Sequence, residues 1–207
     1  MSPLFENRKE AGIKLAEKLE EHITKDTIVL AIPRGGVNIG YEIAEKYDLP
    51  LDVIIVKKIG YPGNPEYAIG AVSMDSSYIS PRHINISEDY IRRNIMEKQE
   101  EAKDRYVELR GDKPPLNLMG KRVILVDDGI ATGATMKMAV QVVRSKSPEK
   151  VIVAVPVAPP STVKNLREEA DEVIALMEPP HFMAIGQFYS DFRQVPTEEA
   201  KRLLERI

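Results

Sequence analysis

The chain has 207 residues with a formal net charge of −3, and 43% of its residues are hydrophobic while 29% are charged. This length suits one α/β domain over residues 1–207, and the mixing of charges excludes a basic stripe that would bind nucleic acid. The absence of cysteine excludes disulfide bonds, thiolate zinc sites and thiol nucleophiles. Because residues 1–22 are charged throughout and no long apolar run follows, we expect a soluble, cytoplasmic protein without a membrane partner.

Helical and strand patterns alternate in the first part of the chain. Residues 8–22 carry apolar side chains at helical spacing, which predicts an amphipathic helix. The apolar run 27–33 ends in Pro, Arg and two glycines, as a buried parallel strand would, and residues 37–47 are again helical in pattern. A second apolar run at 51–56 completes the order strand, turn, helix, strand of a βαβ unit.

The pattern loosens after the second strand. Residues of about 58–86 contain Pro, Gly and Asn together with short alternating segments, which predicts a small hairpin that projects from the sheet as a mobile loop. Residues 87–109 begin with a Ser followed by acids, a typical helix N-terminus, and predict a long charged helix.

Three more apolar runs predict the remaining strands. The first covers 122–128, ends in two carboxylates and is followed by a helical pattern at 135–143. The others cover 151–159 and 172–177 and are separated by a predicted helix at 161–170. Five strands alternating with helices predict a mostly parallel, doubly wound α/β sheet, in which ligands bind at the carboxyl ends of the strands.

The segment 127–135, DDGIATGAT, lies at such a strand end and combines acids, glycines and hydroxyls. Exposed amides at the start of the following helix would cradle a phosphate group. It is not a Walker A loop, since no Lys follows the second glycine, and it lacks the GxGxxG of dinucleotide sites. Asp127 and Asp128 would lie near the hydroxyls of a ligand whose phosphate is on the loop, which describes a sugar phosphate.

Paired acids also occur at ordinary turns, but the longer pattern is more specific. A branched apolar run, two acids, Gly, an apolar residue, a small residue and then TGAT resembles the signature of type I phosphoribosyltransferases. The resemblance implies that Asp127 and Asp128 are catalytic, bind the ribose hydroxyls of 5-phosphoribosyl-1-pyrophosphate (PRPP) and help to hold Mg²⁺. It also implies that the 5-phosphate is bound by the loop residues Gly129, Ile130, Ala131, Thr132, Gly133, Ala134 and Thr135.

The same family needs a second loop, after the first core strand, that grips pyrophosphate. The PRGG segment stands in that place, so the resemblance implies that Pro33, Arg34, Gly35 and Gly36 bind the donor and that Arg34 has a catalytic role. In this family the loop often contains a non-proline cis peptide bond, which we expect between Pro33 and Arg34. The alternative is a simple turn with a solvated Arg.

The segment after the second core strand resembles the donor-binding and flexible-loop region of adenine-type members. The resemblance implies that Lys57 or Lys58 contacts pyrophosphate and that Glu66 and Tyr67 belong to a lid that excludes water. Adjacent lysines are more often simply solvated. Ala131 replaces the acid of hypoxanthine and guanine members, which favours a branch with some adenine-type features without establishing adenine as the acceptor.

Residues 179–207 follow a predicted core of about 27–178 and contain a group of aromatic rings. In family members an aromatic hood near one terminus stacks on the acceptor base, which would give Phe188 and Tyr189 substrate-binding roles. These rings, with Phe182 and Phe192, could equally close the core or a dimer interface. The three histidines, His22, His83 and His181, are scattered and suggest no metal triad.

The resemblance implies transfer of the phosphoribosyl group from PRPP, with Mg²⁺, to a nitrogenous acceptor such as a nucleobase, with release of pyrophosphate. Salvage of nucleotides is the expected context, and a homodimer the expected assembly. The alternative is a non-catalytic regulator that keeps the pocket as a PRPP sensor, although no DNA-binding helix pattern is present. A hydrolase with paired carboxylates has little support, since no nucleophile stands beside a credible base.

Overall fold

The computed structural model describes residues 4–81 and 86–207, so that the predicted loop end at 82–85, with His83, lies outside the described residues. The strands are β1 (Thr27–Ala31), β2 (Leu51–Val53), β3 (Lys57–Tyr61), β4 (Asn64–Val72), β5 (Ser77–Ile79), β6 (Arg122–Val126), β7 (Lys150–Val157) and β8 (Glu172–Met177). The α-helices are α1 (Arg8–Lys18), α2 (Gly35–Tyr47), α3 (Glu88–Arg110), α4 (Ala134–Arg144), α5 (Pro160–Leu166) and α6 (Thr197–Glu205).

Five strands form a parallel sheet in the order β2-β1-β6-β7-β8. All five residues of β1 are buried, as are the apolar residues of β6, because helices cover both faces of the sheet. Helices α1 and α2 share one core with one set of alternating strand residues, whereas α4 and α5 share another core with the other set. The predicted parallel, doubly wound α/β sheet is therefore confirmed.

The predicted hairpin is a separate antiparallel sheet in the order β3-β4-β5. Its small core is formed by Ile59, Ile69 and Val72. The apolar run at 51–56 does not form one long strand, since β2 ends at Val53 and the chain enters the small sheet at Lys57. Tyr90 on α3 donates a hydrogen bond to the carbonyl of Gly60 at 3.0 Å, which ties this sheet to the long helix.

Helix α3 is also anchored to the edge of the central sheet through a buried charge. The Asp52 carboxylate on β2 is 1% exposed and accepts hydrogen bonds from the Tyr106 hydroxyl at 2.9 and 3.1 Å. Arg110 Nε lies 3.1 Å from the same carboxylate, and the Leu116 amide donates to it at 3.2 Å. Neutralisation and hydrogen bonding together allow this carboxylate to be buried.

The N-terminal segment packs beside the sheet against residues 188–191, which follow β8. The amides of Leu4 and Phe5 both donate to the Phe188 carbonyl at 3.0 Å, and Ser190 donates back to the Phe5 carbonyl at 2.8 Å. Phe188 and Tyr189 are 4% and 5% exposed and belong to the core shared with α1 and α2. This arrangement brings the first turn of α1 and the segment after Tyr189 to the same edge of the sheet.

None of the helices within 4–81 and 86–207 is long and apolar enough to cross a membrane.

Candidate active site

Two loops meet at the carboxyl ends of adjacent strands β1 and β6. Ala31 and Val126 are paired at the ends of these strands, and the Ile32 amide extends the pairing by donating to the Val126 carbonyl at 2.9 Å. The PRGG loop therefore leaves the sheet beside the loop 127–135. Both segments were predicted to follow strands at their carboxyl ends, and the structure places them after adjacent parallel strands.

The PRGG loop contains the expected cis peptide bond, between Pro33 and Arg34. Helix α2 begins at Gly35, directly after a half-buried Arg34. A Cβ atom on Gly36 would lie 2.8 Å from the Val126 carbonyl oxygen, and one on Gly35 would lie 1.9 Å from Asp128 Oδ2. The two glycines are required because the loop passes directly against the end of β6.

The two carboxylates that follow β6 lie in different environments. Asp127 is half-buried, and its Oδ1 accepts a hydrogen bond from the Asp128 amide at 2.8 Å. Asp128 is 8% exposed, and its Oδ2 lies 2.7 Å from Arg8 Nε. Burial raises the pKa of Asp127, and the neighbouring charge of Asp128 raises it further. Burial also raises the pKa of Asp128, although the Arg8 guanidinium opposes the shift.

The segment 129–135 turns from β6 into α4 and is held from two neighbouring elements. The Ile130 amide donates to the Val157 carbonyl at the end of β7 at 2.9 Å, and Thr162 Oγ1 on α5 donates to the Ala131 carbonyl at 2.7 Å. Gly133 has a φ of +79° and immediately precedes α4. Within this segment, Ala131, Thr132, Ala134 and Thr135 are exposed, so the start of the helix is open to a ligand.

The donor atoms of this site suit magnesium. Among residues 4–81 and 86–207 there is no group of three or more His, Cys, Asp or Glu side chains that could hold a metal ion. Asp127 and Asp128 offer hard carboxylate oxygens, and Mg²⁺ is commonly bound by one or two carboxylates, with substrate phosphates and water completing its shell. The residues present therefore fit Mg²⁺ that arrives with a phosphorylated ligand, rather than a metal held by protein alone.

Arg8, Arg34 and Asp128 line an open cleft of about 450 Å³. Its remaining wall includes Ile185 and Phe192 from the segment after β8. This cleft lies directly over the meeting point of the two loops, and it combines cationic and anionic side chains with an apolar wall. Such a cleft can accept an anionic ligand that also carries a flat or apolar part.

Arg8 is the functional candidate that the sequence did not reveal. It lies on α1, in a segment whose pattern indicates only an amphipathic helix. The backbone pairing of residues 4–6 with residues 188–191 places Arg8 beside Asp128, and no local motif predicts that contact. Its position in the first turn, where the helix dipole favours acids, does not distinguish it from Lys9 in the same turn.

The two lysines predicted to contact pyrophosphate are paired elsewhere in this structure. Lys57 Nζ lies 3.1 Å from Glu101 on α3, and Lys58 Nζ lies 3.0 Å from Glu66 on β4. Lys58, Glu66 and Tyr67 line a second cleft, of about 680 Å³, that reaches Ala134 at the start of α4. The structure therefore brings the predicted lid beside the segment 129–135, and the roles of Lys57, Lys58, Glu66 and Tyr67 stay predictions.

The aromatic rings near the end of the chain pack largely against one another. Phe188 and Tyr189 are buried and belong to the core in this structure, so their ring faces are not open for stacking on a base. Phe188 contacts Phe182 with ring centroids 5.3 Å apart, and Tyr189 contacts Phe5 at 5.3 Å. The ring that reaches the cleft is Phe192, which stacks on Tyr189 at 4.9 Å.

Residues 4–193 match the family model of the phosphoribosyl transferase domain. The chain belongs to the phosphoribosyl transferase family. Two Mycobacterium tuberculosis proteins, each named "Putative phosphoribosyl transferase", are 37% identical over 211 residues, which covers 98% of this chain and 47% of each relative. The chain thus spans about half the length of these curated relatives of the phosphoribosyl transferase family.

Solved structures show the same family fold. TT1426 from Thermus thermophilus is 38% identical, with a TM-score of 0.88 over 100% of this chain and 99% of that chain. A purine phosphoribosyltransferase from Pyrococcus horikoshii is 20% identical, with a TM-score of 0.52 over 95% of this chain and 99% of that chain. At that identity the second likeness concerns the fold alone.

Proposed function

We propose that this phosphoribosyltransferase domain transfers the 5-phosphoribosyl group of PRPP to a nitrogenous acceptor, such as a nucleobase, and releases pyrophosphate. The proposal rests on the close contact between the PRGG loop and Asp128, one of the two acids that follow β6. The Gly35 backbone lies so close to Asp128 that a methyl group at Gly35 would overlap the carboxylate. One ligand placed there would meet both loops at once.

The proposed roles follow from the exposed groups of the two loops. The open start of α4, with the hydroxyls of Thr132 and Thr135, would bind the 5-phosphate. The ribose hydroxyls would donate to Asp127 and Asp128, which present acceptor oxygens. The pyrophosphate would lie towards the loop of Arg34, whose fixed positive charge complements it.

The reaction breaks the bond between the anomeric carbon and a pyrophosphate oxygen and forms a bond from that carbon to the acceptor nitrogen. The chain would contribute mainly by positioning the two reactants and by stabilising charge, because no nucleophile stands beside a base in the described site. Bound Mg²⁺ would supply positive charge to the leaving pyrophosphate. Closure of the β3–β4 hairpin would exclude water and would free Lys57 or Lys58 from its present carboxylate partner.

The identity of the acceptor is constrained by what the loop lacks. Ala131 is exposed and provides no carboxylate to assist a ring nitrogen of the acceptor. The cleft that Asp128 lines has an apolar wall at Ile185 and Phe192 and a polar side chain at Gln194. We therefore expect an acceptor whose nitrogen is nucleophilic without a side-chain base at residue 131, which disfavours 6-oxopurines.

The test is to incubate the purified 207-residue chain with PRPP, Mg²⁺ and a panel of nucleobases and other nitrogenous acceptors, and to measure pyrophosphate. Release that depends on one acceptor class supports the proposal. Tight PRPP binding without release across the panel would instead favour a PRPP-sensing regulator. If the chain neither binds PRPP nor releases pyrophosphate, both proposed functions are contradicted.

Three further expectations remain predictions. A role in nucleotide salvage depends on the acceptor and is tested by the same panel. A homodimer is tested by sedimentation of the purified chain, and a cytoplasmic location by fractionation of the source cells.

A further inference from the structure

Arg8 is bound into the candidate site by three separate contacts. Its Nε donates to Asp128 Oδ2 at 2.7 Å, and its Nη1 donates to the Arg193 carbonyl at 2.9 Å. Its guanidinium carbon lies 4.0 Å from the centroid of the Phe192 ring, within the range of a cation–π contact. The Arg8 and Asp128 side chains are only 11% and 12% exposed, so this ion pair is largely shielded from water.

Asp128 is held through its backbone as well as through its side chain. Besides the Arg8 contact, its backbone carbonyl accepts a hydrogen bond from the buried Tyr189 hydroxyl at 2.6 Å. The Gly35 backbone packs closely against the same carboxylate, since a Cβ atom at Gly35 would lie 1.9 Å from Oδ2. The carboxylate is therefore oriented before any ligand arrives, which lowers the entropic cost of binding a ligand there.

The pair also changes the charge that a ligand meets. Asp127 and Asp128 together would present two adjacent negative charges to a donor that is itself strongly anionic, and Arg8 neutralises one of them. Two unbalanced carboxylates would repel phosphate groups but would attract a free divalent cation.

We propose that Arg8 is a positioning residue that orients Asp128 and balances its charge, so that the site favours magnesium-bound PRPP over the free divalent cation. This inference rests on the proposed function. It means that the first turn of α1 contributes to donor binding in addition to the two loops.

A purely structural role for Arg8 makes a different prediction. Arg8 also joins α1 to the segment after Tyr189, so its loss could loosen the whole edge of the sheet. Loosening would weaken donor binding and metal binding together, whereas loss of charge balance would change the two affinities in opposite directions. The sign of the change in metal affinity therefore separates the two roles.

The experiment compares the wild-type chain with Arg8→Gln, Arg8→Lys and Lys9→Gln. Lys9 is exposed on the same helical turn, so Lys9→Gln is a control that removes the same charge outside the site. PRPP binding is measured by calorimetry with Mg²⁺ present, and binding of Mn²⁺ alone by electron paramagnetic resonance. Melting curves verify that each variant is folded.

Without Arg8, Asp128 would lose the orientation in which it accepts a hydrogen bond from the ribose, and loss of a hydrogen bond to a charged group typically weakens binding by about 10-fold or more. We therefore expect Arg8→Gln to weaken PRPP binding by at least about 10-fold and to tighten Mn²⁺ binding. Arg8→Lys, which keeps the charge but not the planar contacts, should hold Mn²⁺ affinity near the wild-type value while it weakens PRPP binding. Lys9→Gln should change neither affinity.

The inference is overturned if folded Arg8→Gln binds PRPP as the wild type does, or if its affinities for PRPP and Mn²⁺ fall together. Should Arg8→Gln fail to fold, a folded Arg8→Lys with unchanged PRPP affinity would overturn it equally. A wild-type chain that binds no PRPP refutes the proposed function itself, so the two failures are distinguishable.

Discussion

Substitution of Gly35 by Ala tests the contact between the two loops directly. The new Cβ would lie 1.9 Å from Asp128 Oδ2 and 3.1 Å from Arg8 Nε, whereas ordinary contacts begin at 3.4 Å. The carboxylate would have to retreat by about 1.5 Å, which stretches its hydrogen bond to Arg8 beyond bonding distance. The displaced Asp128 would also lose its proposed hydrogen bond from the ribose. Loss of a hydrogen bond to a charged group costs about 1.5–3 kcal/mol, so we expect PRPP affinity to fall by about 10- to 100-fold.

The assay is a calorimetric titration of Gly35→Ala with PRPP in the presence of Mg²⁺. Gly12→Ala is the matched control, because its Cβ would crowd Glu42 at 3.0 Å, away from the PRGG loop and the acids of β6. The control should bind PRPP as the wild type does, even if it is less stable. Unchanged PRPP affinity in a folded Gly35→Ala variant would refute the reasoning that the close approach of these loops shapes the donor site.

Three other substitutions have defined outcomes. Asp127→Asn should abolish most donor binding and turnover yet raise Tm at neutral pH. Burial raises the pKa of Asp127 in the folded protein, so ionisation of this carboxyl destabilises the fold once the pH exceeds its pKa in the unfolded chain. The gain in Tm from the substitution should therefore shrink as the pH falls to about 4. An equal gain in Tm at neutral pH and at a pH of about 4 would contradict this. Gly133→Ala should weaken phosphate binding, because its φ is +79° and its Cβ would lie 2.8 Å from the Thr162 methyl group, and an unchanged affinity for ribose 5-phosphate would argue against that role. Asp52→Ala should lower the free energy of unfolding in urea by about 3–5 kcal/mol, since it leaves Arg110 buried without its carboxylate, while the PRPP affinity of the folded fraction stays unchanged.

The sheet and its loops were predictable because their signals are local. Apolar runs that end in Gly or in acids mark buried parallel strands and the loops at their carboxyl ends. The cis bond at Pro33 and the meeting of PRGG with DDGIATGAT follow from the family resemblance of those short segments. The cis bond depends on a few adjacent residues, and the meeting of the two segments follows from the pairing of the strands that precede them, β1 and β6.

The contacts that complete the site were not predictable, because they join distant parts of the chain. Arg8 lies beside Asp128 because the N-terminal segment pairs with residues 188–191, far along the chain. The burial of Phe188 likewise depends on its packing with the N-terminal segment, and composition alone left its role open between hood and core. The Asp52 cluster was missed because its partners on α3 are remote in sequence.

The lysines of β3 illustrate a third limit. Their positions after the second core strand resemble a donor-binding region, but each has a carboxylate partner in this structure. Side chains of this length can exchange partners at little cost. The sequence therefore predicts their neighbourhood, while the partner depends on the ligand and on the position of the hairpin.

The main proposal is that the carboxyl ends of β1 and β6 bind a phosphorylated pentose that carries pyrophosphate. It is tested most directly by titrating the purified chain with PRPP in the presence of excess Mg²⁺, and by repeating the titration with Asp127→Asn. We expect saturable one-site binding to the wild type and a large loss of affinity in the variant. Absence of heat in the wild-type titration, with the protein shown to be folded, would contradict it.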